Sequence, residues 1–408
     1  MSGAAGFSYH RPVRIRRALV PGLLILSLSG CHSAQGPVFS DAPTPGPSDV
    51  SEAPPASAPA SVAASVTASP AASATPSKPA SAAPKLLPKP GNPAGHATIP
   101  AAGRAVGTGK PTHKIGNGTP AGCTSAAVVK AVAAGGIITF DCGPDPVTIT
   151  MTATAKVHNT SSQVVLDGGG RVTLSGGGKR RILYLNTCDR TLTLRSGDCS
   201  DQDTPRLTIQ NLVLTNGNST GDDADGGGGG AVYARGGHVK VVNSRFTGNR
   251  CDRTGPDLGG AALRVFDQGG DDPVYVVGST FTGGVCSNGS ALSSIGVSWT
   301  VLNSVFSGNS AVGHGANPAR AGTPGGGSGG AIYLDGDTFT LKLDGTLIEK
   351  NHAAEGGGAI FFVSNDRTGT LSIRNSTLRK NPSDLFETYP GIFYLGKGNP
   401  SFAGSKVS

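Results

Sequence analysis

Gly-Gly-Ala-Ile-Tyr, residues Gly329–Tyr333, is one of five related stretches in the second half of a 408-residue chain. The others are Gly-Gly-Ala-Val-Tyr (Gly229–Tyr233), Gly-Gly-Ala-Ala-Leu (Gly259–Leu263), Gly-Ser-Ala-Leu-Ser (Gly289–Ser293) and Gly-Gly-Ala-Ile-Phe (Gly357–Phe361). Their alanines stand at 231, 261, 291, 331 and 359, so the steps between copies are 30, 30, 40 and 28. A unit of that size cannot bury its own apolar face. It must stack on its neighbours as a solenoid.

Working outward, each unit has a second half written Asn-Ser-x-Phe-x-x-Asn. The copies are Asn243–Asn249, Asn303–Asn309 and, with Leu for Phe, Asn375–Asn381. Gly278–Gly284 keeps the frame without either Asn, and Asp344–Asn351 keeps it with one extra residue. Like residues on successive rungs would stack at the ~4.8 Å strand spacing. Phe on Phe fills the interior, an Asn ladder satisfies turn backbone, and Gly-Gly allows a turn that a Cβ would obstruct. The expected fold is all-β: a right-handed, single-stranded parallel β-helix spanning about residues 120–400. A helix over Ser125–Ala134, with Thr124 as N-cap and Gly135-Gly136 as its stop, would cover the open N-terminal end. Short strands follow at Ile137–Asp141, Val147–Thr152, Gln163–Leu166, Val172–Leu174, Ile182–Leu185, Thr191–Leu194, Leu207–Ile209 and Leu212–Leu214.

Which residues of the Gly-Gly-Ala strands face inward stays open. Arg264 shares a parity with Val232, Leu292, Ile332 and Ile360 when the alanines are aligned, which sends that set outward and Ala231, Tyr233, Ala261, Leu263, Ala331 and Tyr333 inward. The outward face would then carry an apolar stripe suited to binding. The alternative is the reverse parity, with Arg264 as an exception.

The first thirty residues read as an export signal. Arg11, Arg14, Arg16 and Arg17 precede the apolar run Ala18–Leu28, and Leu28-Ser29-Gly30-Cys31 looks like a bacterial lipobox with Cys31 as the lipidated residue. Removing the four arginines leaves 34 − 4 = 30 basic against 26 acidic residues, a net +4. With no basic run left, nucleic-acid binding loses its main support. Residues 31–110 are dominated by Ala, Pro and Ser and read as a disordered stalk. Cys123, Cys142, Cys188, Cys199, Cys251 and Cys286 remain, without zinc-site spacing, so an oxidising compartment is expected. Cys251 and Cys286 each lie five residues after the Phe of their unit (Phe246, Phe281), on adjacent rungs within disulfide reach. Cys188 with Cys199 would close a local loop, and Cys123 with Cys142 would tie the helix to the first strand.

The Gly-Gly-Ala-Ile and Phe-x-x-Asn patterns resemble the chlamydial polymorphic outer membrane protein repeats, and more broadly the right-handed β-helix, pectate-lyase-like superfamily. The resemblance covers about residues 120–400 and implies the fold, not an activity, because that scaffold carries lyases, hydrolases, adhesins and inactive proteins. Those outer membrane proteins end in a membrane β-barrel, whereas this sequence shows no series of ten-residue alternating segments before Ser408, so autotransport is not implied.

No catalytic constellation emerges from the sequence. The Gly-rich runs 226–230 and 325–330 lack the Lys-Ser/Thr continuation of a phosphate loop. His238, His314 and His352 stand beside no evident partner, and the strands supply no carboxylate pair, Asp267 and Asp335 coming closest. No cofactor or metal is expected, although Asp222, Asp223 and Asp225 form an acidic loop where Ca²⁺ is conceivable. The inserts 217–228, 250–258 and 310–328 fall at one place in the repeat and must emerge along one edge. Asp222, Asp223, Asp225, Arg253 and Arg320 are their candidate ligand contacts. The sequence points to a monomeric, lipid-anchored envelope protein, surface or periplasmic, that binds an extracellular polysaccharide or cell-surface glycan. The alternative is a polysaccharide lyase or glycoside hydrolase acting on an acidic polysaccharide.

Overall fold

The computed structural model describes residues 86–192, 197–222, 227–316 and 320–408. The expected export signal, Cys31, and the expected stalk up to residue 85 lie outside them, as do Asp223 and Asp225. Successive rungs pair strand on strand in parallel, which makes the chain a parallel β-helix. One rung shows the plan: Leu292–Ile295, then Trp299–Leu302, then Val305–Ser307, then the short Ser310–Ala311. The first of these stacks into an eight-stranded sheet running from Ala155–Lys156 to Ile392–Leu395, called here the Gly-Gly-Ala sheet. The second and third join a sixteen-stranded sheet, and the last a three-stranded one.

The helix Ser125–Ala134 forms as expected. Thr124 Oγ1 accepts from Ala127 N, Gly135 ends the helix at φ 78°, and Val128 and Val132 are fully buried against the first rungs. The expected strand pairs Gln163–Leu166 with Val172–Leu174, and Leu207–Ile209 with Leu212–Leu214, run together as Gln163–Ser175 and Arg206–Thr215. The expected strand at Thr191–Leu194 does not form at its start: Arg190–Leu192 is a 3₁₀ turn, and residues 193–194 lie outside the described set. Asp189 Oδ1 accepts from both Thr191 N and Thr191 Oγ1, a local turn that competes with a ladder. Strands also extend past the expected limits, from His113–Gly116 to Lys406–Val407.

Asn-Ser-x-Phe-x-x-Asn resolves into four stacked devices. Its first Asn takes a left-handed turn (Asn243 φ 46°, Asn303 φ 52°, Asn375 φ 45°), and Gly278 and Gly345 hold the same place. That corrects the reading of an extra residue in Asp344–Asn351. Gly345 is the turn residue, and Leu347 and Ile348 pair with Val305 and Phe306 without a slip. The hydroxyl that follows accepts the backbone N–H one rung away, from Ser244 N to Ser279 Oγ, Ser279 N to Ser304 Oγ and Thr346 N to Ser376 Oγ. Phe246, Phe281 and Phe306 stack with centroids 4.8 and 4.9 Å apart. The last Asn forms a buried amide ladder, Asn309 Nδ2 to Asn351 Oδ1 at 2.8 Å and Asn351 Nδ2 to Asn381 Oδ1 at 2.9 Å.

All three expected disulfides are present: Cys123–Cys142, Cys188–Cys199 and Cys251–Cys286, with Cα separations of 5.7, 4.9 and 4.8 Å.

The parity of the Gly-Gly-Ala strands is reversed from the alignment of alanines. Val232, Leu263, Leu292, Ile332 and Ile360 are register partners and point into the core. Tyr233 and Tyr333 face outward. The cause is one residue: Gly259-Gly260-Ala261-Ala262 delivers the chain to its strand a residue later than Gly229-Gly230-Ala231. Arg264 therefore stands opposite Tyr233 and is no exception.

The end of the expected stalk is not free chain. Residues 86–112 run along the turn ladder and back, bonded to it by side chains. Gly91 N donates to Thr280 Oγ1, Ala97 N to Asn303 Oδ1, Val106 N to Gln210 Oε1 and Thr108 Oγ1 to Asp167 Oδ2, each at 2.8 Å. Ala97 and Ile99 cover Val242, Val277 and Leu302, an apolar strip on the outer surface of the large sheet. An Ala/Pro-rich composition hid this, because the ladder supplies most of the bonding groups.

Candidate ligand-binding face

The outward surface of the Gly-Gly-Ala sheet carries two columns. The one nearer the insert edge reads Lys156, Tyr184, Tyr233, Arg264, Ser293, Tyr333, Phe361 and Phe393 in consecutive register. Tyr184 and Tyr233 stack at 5.5 Å, Tyr333 and Phe361 at 5.0 Å, and Phe361 and Phe393 at 5.2 Å. The second column reads Asn186, Arg235, Phe266, Ile295, Asp335, Val363 and Leu395, and from Arg235 onward it is half-buried.

Glycine makes the first column an enclosed floor. A Cβ on Gly229 would lie 2.9 Å from Tyr233 Cα, and one on Gly289 would lie 2.7 Å from Tyr333 Cβ. Both residues also have positive φ, 64° and 46°. The chain thus folds back across the outward side chain of its own strand or of the next, at a distance only glycine permits. Aromatic rings that alternation alone would expose are buried beneath the insert edge.

Arg264 interrupts the aromatic column. It is fully buried, its Nη1 donates to Ser293 Oγ, and its guanidinium lies 4.3 Å from the Phe266 ring centroid. Nε and Nη2 have no hydrogen-bond partner among the described residues. Burial lowers the group to about 10, with the Tyr333, Tyr233 and Asp257 charges opposing, so it is still charged at neutral pH. Asp335, nearby in the second column, is raised from the usual carboxylate value by burial. That outweighs hydrogen bonds from Gly336 N, Tyr333 Oη and Asn365 Nδ2.

The inserts do emerge along one edge and lean on one another. Gly221 N donates to Asp252 Oδ1, Asn288 Nδ2 to Pro256 O and Gly255 N to Gly325 O. Two of their proposed contact residues also pair within the protein while their side chains stay partly exposed. Asp222 accepts from Arg181 Nη1 at 2.7 Å, while Arg181 Nε and Nη2 hold Gly229 O and Gly228 O. Arg320 makes a bidentate pair with the buried Glu355, both bonds 2.9 Å, and Gly315 N donates to the same carboxylate. Arg253 is exposed.

Clusters that sequence order scatters are brought together at the rung ends. Asp198 and Asp201 meet Asp267, Asp271 and Asp272 around a cleft of about 240 Å³ at the far end of the same sheet. Among the described residues no three such groups converge to hold a metal ion. Two of the three histidines, His238 and His352, do have partners, contrary to the sequence reading. His238 lies 3.2 Å from Asp203 and 3.7 Å from Asp272, and His352 lies 2.9 Å from Asp384 and 3.5 Å from Ser310 Oγ. Each partner comes from another rung or loop, so local sequence could not reveal it. The Ser310–His352–Asp384 row is solvated, with Asp384 half-exposed.

Residues 303–335 and 345–363 match the family model of the Chlamydia polymorphic membrane protein repeat. No curated protein and no solved structure matches the chain. Both matched stretches begin at a left-handed turn residue, Asn303 and Gly345, and end at the register partners Asp335 and Val363. Each spans three of the four strands of one turn of the helix, so this chain carries segments similar to that membrane-protein repeat.

Proposed function

We propose that the protein is a lipid-anchored envelope protein, attached through Cys31, whose β-helix is a non-enzymatic adhesion or glycan-binding module. The observation that carries this reading is the outward surface of the Gly-Gly-Ala sheet. Phe266, Ile295, Val363 and Leu395 form a half-exposed apolar track in register. Such a track on an exported solenoid suits the flat apolar faces of sugar rings, with Arg235, Asp335 and backbone groups at hand for hydroxyls. Three disulfides agree with an oxidising location, and the match to a membrane-protein repeat agrees with envelope display.

The acidic cleft around Asp267 and Asp272 favours a second reading, a polysaccharide lyase or glycoside hydrolase. Incubation with a panel of neutral and acidic polysaccharides separates the two. Retention on an immobilised glycan without release of shorter or unsaturated chains is expected. Turnover that disappears in Asp267→Asn would replace the binding reading with the enzymatic one.

A further inference from the structure

We infer that Arg264 is the floor of an anion-recognition subsite that takes one carboxylate or sulfate group of a saccharide lying across Phe266 and Ile295. This rests on the glycan-binding reading of that face. The register supplies the first reason. On six other rungs this column holds Lys, Tyr, Tyr, Tyr, Phe and Phe, with Ser293 the small residue beside Arg264. A ring at 264 would have continued the Tyr184–Tyr233 stack. The chain carries a cation there instead, and the small Ser293 accepts one of its N–H groups.

Burial supplies the second reason. A guanidinium removed from water costs several kcal/mol unless its donors are met. The other buried arginine among the described residues, Arg181, meets its donors with two carbonyls and Asp222. Among the described residues Arg264 leaves Nε and Nη2 without partners, and no carboxylate forms an ion pair with it. A planar pair of donors left free on a fixed guanidinium matches the two oxygens of a carboxylate or sulfate. Phe266, half-buried on the outward surface, has its ring centroid 4.3 Å from the guanidinium, so a saccharide lying on that ring would bring its anionic group beside Arg264. Exposed Asp257 and half-buried Asp335 flank this approach and disfavour a densely charged polyanion. A single compact anionic group is the ligand that fits both facts.

The test uses the full chain, its Arg264→Met variant and Phe266→Ala. Calorimetric titration with a neutral tetrasaccharide, its uronate counterpart and its sulfated counterpart should show at least about tenfold tighter binding of an anionic form to the wild type. Arg264→Met should lose that preference and keep neutral binding, and Phe266→Ala should weaken all three. Preference retained in Arg264→Met overturns the subsite, whereas indifference to Phe266→Ala overturns the face. A ligand-independent arm decides the matter if none of the sugars binds. Sodium sulfate, against sodium chloride at equal ionic strength, should raise the melting temperature of the wild type by about 2 °C or more beyond any effect on Arg264→Met. Without sulfate, Arg264→Met should melt no lower than wild type. A variant that melts several degrees lower would show the guanidinium to be a structural brace, and an equal sulfate effect on both proteins would show no anion site at 264.

Discussion

The Phe-x-x-Asn corner and the Gly-Gly-Ala face are built by the same stacking, yet they differ in what repetition leaves unsatisfied. At the corner most rungs supply the same kind of residue. Hydroxyls, amides and rings there find partners one rung away, as in Ser279 N to Ser304 Oγ, Asn309 to Asn351 and Phe281 to Phe306. On the outward face of the Gly-Gly-Ala sheet the ladder breaks at Arg264 and Ser293, and there two buried donors have no partner among the described residues. A perfect ladder consumes its own bonding groups and has nothing left for a ligand. Recognition belongs at the break, and stability at the repeat.

The largest test of that contrast sets Phe281→Ala against Arg264→Met. Phe281 is fully buried between Phe246 and Phe306, so truncation should cost about 3–5 kcal/mol, read as a lower urea midpoint. Arg264→Met should move the midpoint the other way or not at all, because removing a buried unpaired charge is neutral to stabilising. If both variants fall by similar amounts, Arg264 belongs to the same structural ladder and the contrast collapses.

Glycine offers a finer test, since both regions use it at positive φ for different reasons. Gly308, at the corner, has φ 64° and nothing within 4 Å of a built Cβ, and Lys350 and Lys380 occupy the equivalent place at φ 57° and 56°. Its replacement by Ala should cost only the conformational preference, about 1 kcal/mol. Gly289 has φ 46°, and a Cβ there would sit 2.4 Å from Leu292 O and 2.7 Å from Tyr333 Cβ. Gly289→Ala should cost at least about 2–3 kcal/mol, since backbone on one side and a buried ring on the other must both move. Equal costs in thermal melts would mean that the Gly-Gly turn does not press on the aromatic column.

The same division explains what the sequence disclosed. Residues repeated for stacking announce themselves, so the corner motif, the helix Ser125–Ala134 and the Cys251–Cys286 pair were legible from spacing alone. The break was not. Aligning Ala261 with Ala231 is the natural choice on sequence, yet the ladder begins one residue later, and a one-residue slip exchanges the two faces. The charges around the face were hidden for another reason. Asp201 meets Gly270, and Arg320 meets Glu355, across separations of 69 and 35 residues that only the stacking sets. The covering segment 86–112 lacks the apolar periodicity that marks a packed element, and it is held by side chains of the ladder beneath it.

That cover lies along the corner's turn ladder, and its far end gives the smallest and most local effect. Asp167 is partly buried, which raises its pKa. Hydrogen bonds from Asn211, Gln210, Gly169 N and Thr108 outweigh burial and hold it below the ordinary carboxylate value. A group with a depressed folded pKa stabilises the fold above its unfolded pKa, and that contribution is lost as pH falls through the folded value. Acid should therefore release the Val106–Thr108 anchor, starting below about pH 4 and becoming complete only further down. Amide exchange, corrected for its intrinsic pH dependence, should show Val106 losing protection over that window while Asn309 and Asn351 in the amide ladder stay protected. In Asp167→Asn, Val106 should already be less protected at neutral pH and should show no further acid step. If Val106 and the ladder amides lose protection together, the cover and the corner are one cooperative unit, and the segment is a strand-like part of the solenoid instead of a strap laid upon it.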